Sequence, residues 1–171
     1  MLNWLKNQTL ENWANAPIVN DGETVIDAPA AEIFERLDLA SPSNALRQRG
    51  FTFGAGNPAY DIFEASDPDQ PDVTLVFEVT ESRPRKRYCY RTTARSTDKH
   101  CAVTESSCEF TIVPQKDGRH LLHLQETSTL TPGLDRNQYI LERAKLNFSV
   151  FRTLARLRLP LELGTDLRNI N

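Results

Sequence analysis

Apolar and polar positions change period along this chain, and the change is sharpest in its last third. Between Arg119 and Leu130, Leu122, Leu124, Glu126, Ser128 and Leu130 alternate with Leu121, His123, Gln125, Thr127 and Thr129. A period of two means one dry and one wet face, the pattern of an antiparallel strand. After Thr131-Pro132-Gly133 the period lengthens: Leu141, Ala144, Phe148, Phe151 and Ala155 recur at three- and four-residue spacing. Ile140, Val150, Leu154, Leu157 and Leu161 broaden the apolar side. The spacing predicts one long helix over Asp135–Leu159, ended by Pro160. Arg152, Arg156 and Arg158 would sit in its last turns, where cations suit the helix dipole.

Three more runs alternate in the same way: Val73, Leu75, Phe77 and Val79, with Val76 breaking the pattern; Tyr88, Tyr90, Thr92 and Ala94; and Ser106, Cys108, Phe110 and Ile112. The connections Ser82–Arg87, Ser96–His100 and Pro114–Gly118 are short enough for hairpins. Earlier in the chain, Gly22–Asp27 reads as strand one, and Pro29 suits the first turn of a helix whose inner face is Ile33, Phe34 and Leu37. Ser43 is placed to cap a second short helix over Asn44–Gln48, ended by Gly50. Phe51–Asn57 and Ala59–Ala65 follow as short strand candidates, and the proline- and aspartate-rich run after them as a turn. Leu2, Leu5 and Trp13 can share one side of a short N-terminal helix, either an arm packed on the domain or a docking segment. This gives an arm over residues 1–20, one domain over 21–161 and a tail over 162–171.

These elements make an α+β fold: a curved antiparallel sheet wrapped around a long C-terminal helix, with two short helices after strand one. The pattern resembles the START-like (SRPBCC) helix-grip domains, especially the polyketide cyclase/dehydrase and lipid-transport branch. Val25-Ile26-Asp27-Ala28-Pro29 with Ile33-Phe34 carries the resemblance, as do Thr74–Val79 with Pro84 and Tyr88, and Glu126–Gly133 leading into the long helix. It covers about residues 22–160. The resemblance implies an apolar ligand held between sheet and helix. The family spans lipid transfer, hormone sensing, polyketide aromatisation and chaperone co-activation, so it transfers a fold rather than an activity. Iron and iron–sulfur ligand motifs of the related oxygenase subunits are absent.

Strand parity and helix spacing name the expected lining of that space: Leu75, Phe77, Tyr88, Tyr90, Phe110, Leu122, Leu124 and Ser128 from the sheet, with Ala144, Phe148 and Phe151 closing it from the helix. The alternative is a filled core. Glu126 is the polar position that stands out, because its parity points it inward with Leu122 and Leu124. A buried carboxylate is costly unless paired. It would hold a ligand hydroxyl, act with Tyr90 in proton transfer, or pair with an arginine.

Composition narrows the field. The net charge of −3 gives no global field toward nucleic acid. No run of about 18 apolar residues marks a membrane span, and Met1–Leu10 lacks the apolar core of a signal peptide. Cys89, Cys101 and Cys108 lack metal or redox spacing, so free thiols and a cytoplasmic location are expected. His100, His120 and His123 form no catalytic set and read as exposed. No metal or cofactor motif appears. Acidic residues from Asp61 to Glu81 precede a basic strip, Arg83–Arg95, which is either paired across strands or a patch for an acidic partner. Three functions follow: a binder of a hydrophobic small molecule or lipid, a cyclase/dehydratase-type enzyme without a metal, or an interaction module using the arm or the basic strip.

Overall fold

The computed structural model describes residues 16–54, 57, 61–68, 70–96 and 102–164. In chain order the elements are β1 (Ile18–Ile26), α1 (Ala30–Leu37), α2 (Ala45–Gln48), β2 (Thr52–Phe53), β3 (Ile62–Asp67), β4 (Gln70–Arg83), β5 (Arg87–Ser96), β6 (Val103–Pro114), β7 (His120–Leu130) and α3 (Arg136–Leu163). The strands form one antiparallel sheet in the order β1-β7-β6-β5-β4-β3-β2. The first strand therefore pairs with the last, and the two short helices and α3 share the inner face. The alternation expected in β4 to β7 is the alternation found, with Tyr88, Phe110, Leu122 and Leu124 buried on one side. The α+β helix-grip architecture is thus the observed one.

Local details differ from the sequence reading. Strand β1 starts at Ile18 rather than Gly22, because Ile18 to Asp21 pair with Ser128 to Gln125 and the ladder overrides the turn-like Asn20-Asp21-Gly22. Asn44, not Ser43, caps α2: its Oδ1 accepts from the Leu46 amide at 3.0 Å, and its Nδ2 donates to the carbonyls of Arg36 and Leu37. Pro29 stands just before α1, with its carbonyl accepting from Glu32 and Ile33. The early strand candidate over Ala59–Ala65 is shifted to Ile62–Asp67. The expected N-terminal arm, up to Asn15, and most of the tail fall outside the described residues.

Helix α3 opens with a capping box. Asp135 accepts from the amides of Asn137 and Gln138, and the Gln138 side chain accepts from the Asp135 amide. Pro160 does not end the helix. It sits buried inside it, and the helix runs to a left-handed Gly164 (φ 63°) whose amide donates to the Pro160 carbonyl. A proline costs the bond its own nitrogen would have made, but the extra turn is tied down from outside. Glu162 accepts from the Asp27 amide at 3.1 Å and from Arg158 Nε at 2.7 Å.

The rotation of α3 is the main correction. Leu146, Val150, Leu154, Leu157 and Pro160 are buried against the sheet. Ala144, Phe148 and Phe151, expected to close the interior, are exposed instead, Phe148 at 72% and Phe151 at 61%, with only the edge of the Phe151 ring reaching Gly22 of β1. The helix carries apolar residues on two sides, so spacing alone did not select the inner one. Gly22 selects it. A Cβ on Gly22 would lie 2.8 Å from Val150 Cγ1 and 3.2 Å from Leu154 Cδ1. Bare backbone on β1 lets the helix seat with these two side chains against the strand.

Gly22→Ala should therefore lower stability by about 1–3 kcal/mol, the usual range for overpacking, because Val150 is stiff at χ1 in a helix. In a Val150→Ala background the same change should cost much less. Urea unfolding of the four-member cycle measures this, and an equal cost in both backgrounds would contradict the contact.

Candidate functional site

Helix α3 packs along β1 and β7, and α1 touches both α3 and β5. Between them is a cavity of about 60 Å³. Tyr90 and Phe110 contribute from the sheet, Leu37, Leu39, Ala45 and Leu46 from the α1–α2 segment, and Thr153 and Leu157 from α3. Arg36, Arg49 and Arg156 also line it, and no acidic residue does so among the described residues. The Arg36 guanidinium donates to Gln48, and that of Arg49 lies 5.2 Å from the centre of the Phe51 ring.

Tyr90 is the centre of the aromatic interior. Its ring is 5.5 Å from Phe77, 6.2 Å from Tyr88 and 6.0 Å from Phe110, centre to centre. Burial pushes Tyr90 well above the usual phenol range, with Cys108 and Glu126 acting in the same direction. Burial likewise pushes the Cys108 thiol up to about 12, helped by the negative charge of Glu126. Both groups keep their protons at neutral pH.

The register continues this chemistry across the sheet. Tyr90 stands beside Cys108, Cys108 beside Glu126, and Glu126 beside Asn20. Glu126 points to the helix side, as its parity implies. Its Oε2 accepts from Ser149 Oγ at 2.6 Å and its Oε1 from Ser128 Oγ at 3.3 Å. Ser149 Oγ is also 2.7 Å from the Leu146 carbonyl, so its one proton is shared between two acceptors. The carboxylate is held by hydroxyls, and no ion pair joins it among the described residues. Asn20 Nδ2 is buried without a partner.

The structure thus divides the expected set. Tyr90 and Phe110 meet the cavity. Tyr88, Leu122 and Leu124 are packed core, with Tyr88 accepting from the Leu39 amide at 3.0 Å. Phe77 is buried, and Leu75 packs against the same core. Glu126 and Ser128 belong to the polar row, while Ala144, Phe148 and Phe151 are outside. Ser149 and Asn20 were missed. Asn20 shares parity with Gly22 and Ile26, and a longer reading of strand one would have found it.

Four cations of the basic strip are paired. Arg83 and Arg87 meet Glu81, Arg87 also meets Glu109, Arg91 meets Glu78 and Glu105, and Arg95 meets Glu64. His120, read as exposed, is half-buried with Nδ1 3.0 Å from the Ala28 carbonyl. Cys89 and Cys108 are free thiols. Among the described residues no helix is long and apolar enough to cross a membrane.

No family model matches the chain, and neither does any curated protein. Solved structures do. DynU16, a protein of the dynemicin biosynthetic locus, aligns over 88% of this chain with TM-score 0.62 and 19% identity. The chain spans about half of DynU16, 49% of its length. A START superfamily protein from Mycobacterium smegmatis aligns over 86% of this chain and 100% of its own, with TM-score 0.58 and 11% identity. Ara h 8.0201 aligns over 81% and 95%, with TM-score 0.56 and 10% identity. At such identities the likeness shows the fold.

The polar row makes a pH prediction. Cys108 has an ordinary value of 9.0 and a folded value of about 12. Its contribution is therefore complete below the ordinary value and is lost as pH rises through the folded one, since the unfolded chain releases its proton first. Tyr90 acts with the same sign. The urea midpoint should fall across that window, and less steeply in Cys108→Ala. Identical slopes would contradict the burial of the thiol.

Proposed function

We propose that this chain, a START-like helix-grip fold, binds a hydrophobic small molecule or lipid that carries an acidic group. The supporting observation is the cavity itself: an apolar wall with Tyr90 and Phe110 on the sheet side, and Arg36, Arg49 and Arg156 among its lining residues. Guanidinium groups suit carboxylates and phosphates, and a mostly apolar space with a few orienting polar groups is the usual form of a small-molecule site.

The void has room for about two waters at ~30 Å³ each. A ligand of ordinary size must displace part of the wall. Of that wall, the short helix α2 is the part that moves at least cost. Helix α2 is 4 residues long and contributes no buried residue, and segments with little buried apolar surface open most readily. Asn44 is the latch, joining α2 to the end of α1 through three hydrogen bonds.

A second reading is a cyclase- or dehydratase-type enzyme in which Glu126 or Tyr90 moves a proton. The interior polar row favours it. It ranks second because the cavity wall includes Tyr90 but neither Glu126 nor Ser128.

Dodecanoate and dodecanol, equal in chain length and different in charge, test the binding reading by calorimetry. Dodecanoate should bind more tightly, Arg49→Gln should erase the difference, and Leu46→Trp should weaken both by about tenfold or more, a loss of ~1.4 kcal/mol. Native mass spectrometry should show a co-purified apolar acid. Protein that is always recovered empty and binds neither probe would overturn the proposal.

A further inference from the structure

Helix α3 is basic in an acidic chain. It carries six basic and two acidic side chains, whereas the chain as a whole has a net charge of −3. Its two acids are already engaged, Glu142 by Lys145 and Glu162 by Arg158. Arg136, Arg143 and Arg152 are exposed and make no ion pair among the described residues. The arginines of β5 differ, since each finds a carboxylate across the sheet.

Large apolar side chains stand among these cations. Leu141, Phe148 and Phe151 are exposed, with Ile140 at 54%. Arg152 follows Phe148 by four residues and Lys145 precedes it by three, spacings that make neighbours on a helix. These two cations and the two phenylalanines border one recess. Phe151 also reaches the seam with β1, its Cε1 3.7 Å from where a Cβ on Gly22 would stand. The patch therefore runs from that seam across α3 to Lys145 and Arg152. Contiguous exposed apolar surface of this kind marks an interaction site.

We propose that this face of α3 docks on an anionic phospholipid surface. Phe148, Phe151, Leu141 and Ile140 enter the apolar boundary below the headgroups, and Lys145, Arg152 and Arg143 meet the phosphates. Charge complementarity is the first argument. Rings and aliphatic side chains beside cations are what an interfacial helix presents, and a guanidinium fits a phosphate with two donors at once. The acids of the adjoining strand do not interfere: Asp21 and Glu23 alternate with Gly22, so they lie on the other face of the sheet from α3.

Area is the second argument. Leu141–Ala155 covers roughly 21 Å of helix, and a helix is about 10 Å across. The strip is on the order of 200 Å², far below the ~800 Å² that each partner gives to a stable protein interface. A lipid surface sets no such threshold, because it moulds to one helix face. A second copy is disfavoured further: two such faces opposed would bring Lys145 and Arg152 toward their own counterparts. Docking of this kind is independent of what the cavity holds.

Flotation of the full chain with vesicles tests it. The protein should float with phosphatidylglycerol-containing phosphatidylcholine vesicles and stay behind with phosphatidylcholine alone, and about 0.5 M salt should weaken the binding several-fold. Phe148→Ser should weaken it about tenfold and Arg152→Gln about fivefold. Both positions are exposed, so circular dichroism and the urea midpoint should not change. Val113→Ser, at an exposed apolar position of β6, should float like the parent. Four results would overturn the proposal: no flotation with the anionic vesicles, equal flotation with neutral ones, no loss in Phe148→Ser or Arg152→Gln, or a dimer in sedimentation that Phe148→Ser dissociates, which would give the face to a second copy.

Discussion

Everything on the inner face follows from the seating of α3 on β1 at Gly22. Helix and strand approach closely there because the strand has no Cβ to hold them apart. Once Val150 and Leu154 occupy that place, the rotation of the whole helix is fixed. Ser149 is turned toward Glu126, Thr153 and Arg156 toward the cavity, and Phe148 and Phe151 toward solvent. The capping box at Asp135 defines where the helix starts, and the Glu162 bond to Asp27 pins its other end to β1. One missing methyl thus decides which side chains can serve a ligand.

The interior is not uniformly apolar, and the exception is organised. Apolar rows cross the sheet at Leu122 with Ile112 and at Leu124 with Phe110 and Tyr88. The adjacent row is Tyr90, Cys108, Glu126 and Asn20. Burying a carboxylate among hydroxyls costs more than burying a leucine there, and the Asn20 amide adds an unpaired donor. Native interiors leave few such groups. An uncompensated donor beside a hydroxyl-held acid makes this row the exception on an otherwise apolar inner face.

The sheet was legible because a strand offers each residue only two directions. Alternation in β7 was enough to place Leu122, Leu124, Glu126 and Ser128 on the inner side. The helix offers a continuum of directions, and α3 carries apolar residues on two sides, so Phe148 and Phe151 looked as inward as Val150 and Leu154. Only the partner strand distinguishes them, through the bare backbone of Gly22. Starting strand one at Gly22 rather than Ile18 left Asn20 out of it. Pro160 was read by local propensity, whereas burial and the Glu162 tether prevailed. Ser149 went unseen because the helix face that carries it was turned the wrong way.

The two polar regions also give the proposed site a direction. Three arginines line the cavity between the short helices and α3, and Glu126 lies beyond Tyr90 and Cys108 in the polar row. An acidic group moving inward would leave the cations and approach a like charge where water screens poorly. Both terms hold it at the arginines. An apolar tail meets neither penalty and gains by replacing water against Phe110, Leu37 and Leu157. On the proposed reading, a ligand of that class would enter tail first. Its length would be limited by how far helix α2 yields, and its acidic end would remain within reach of solvent and of whatever delivers or receives it.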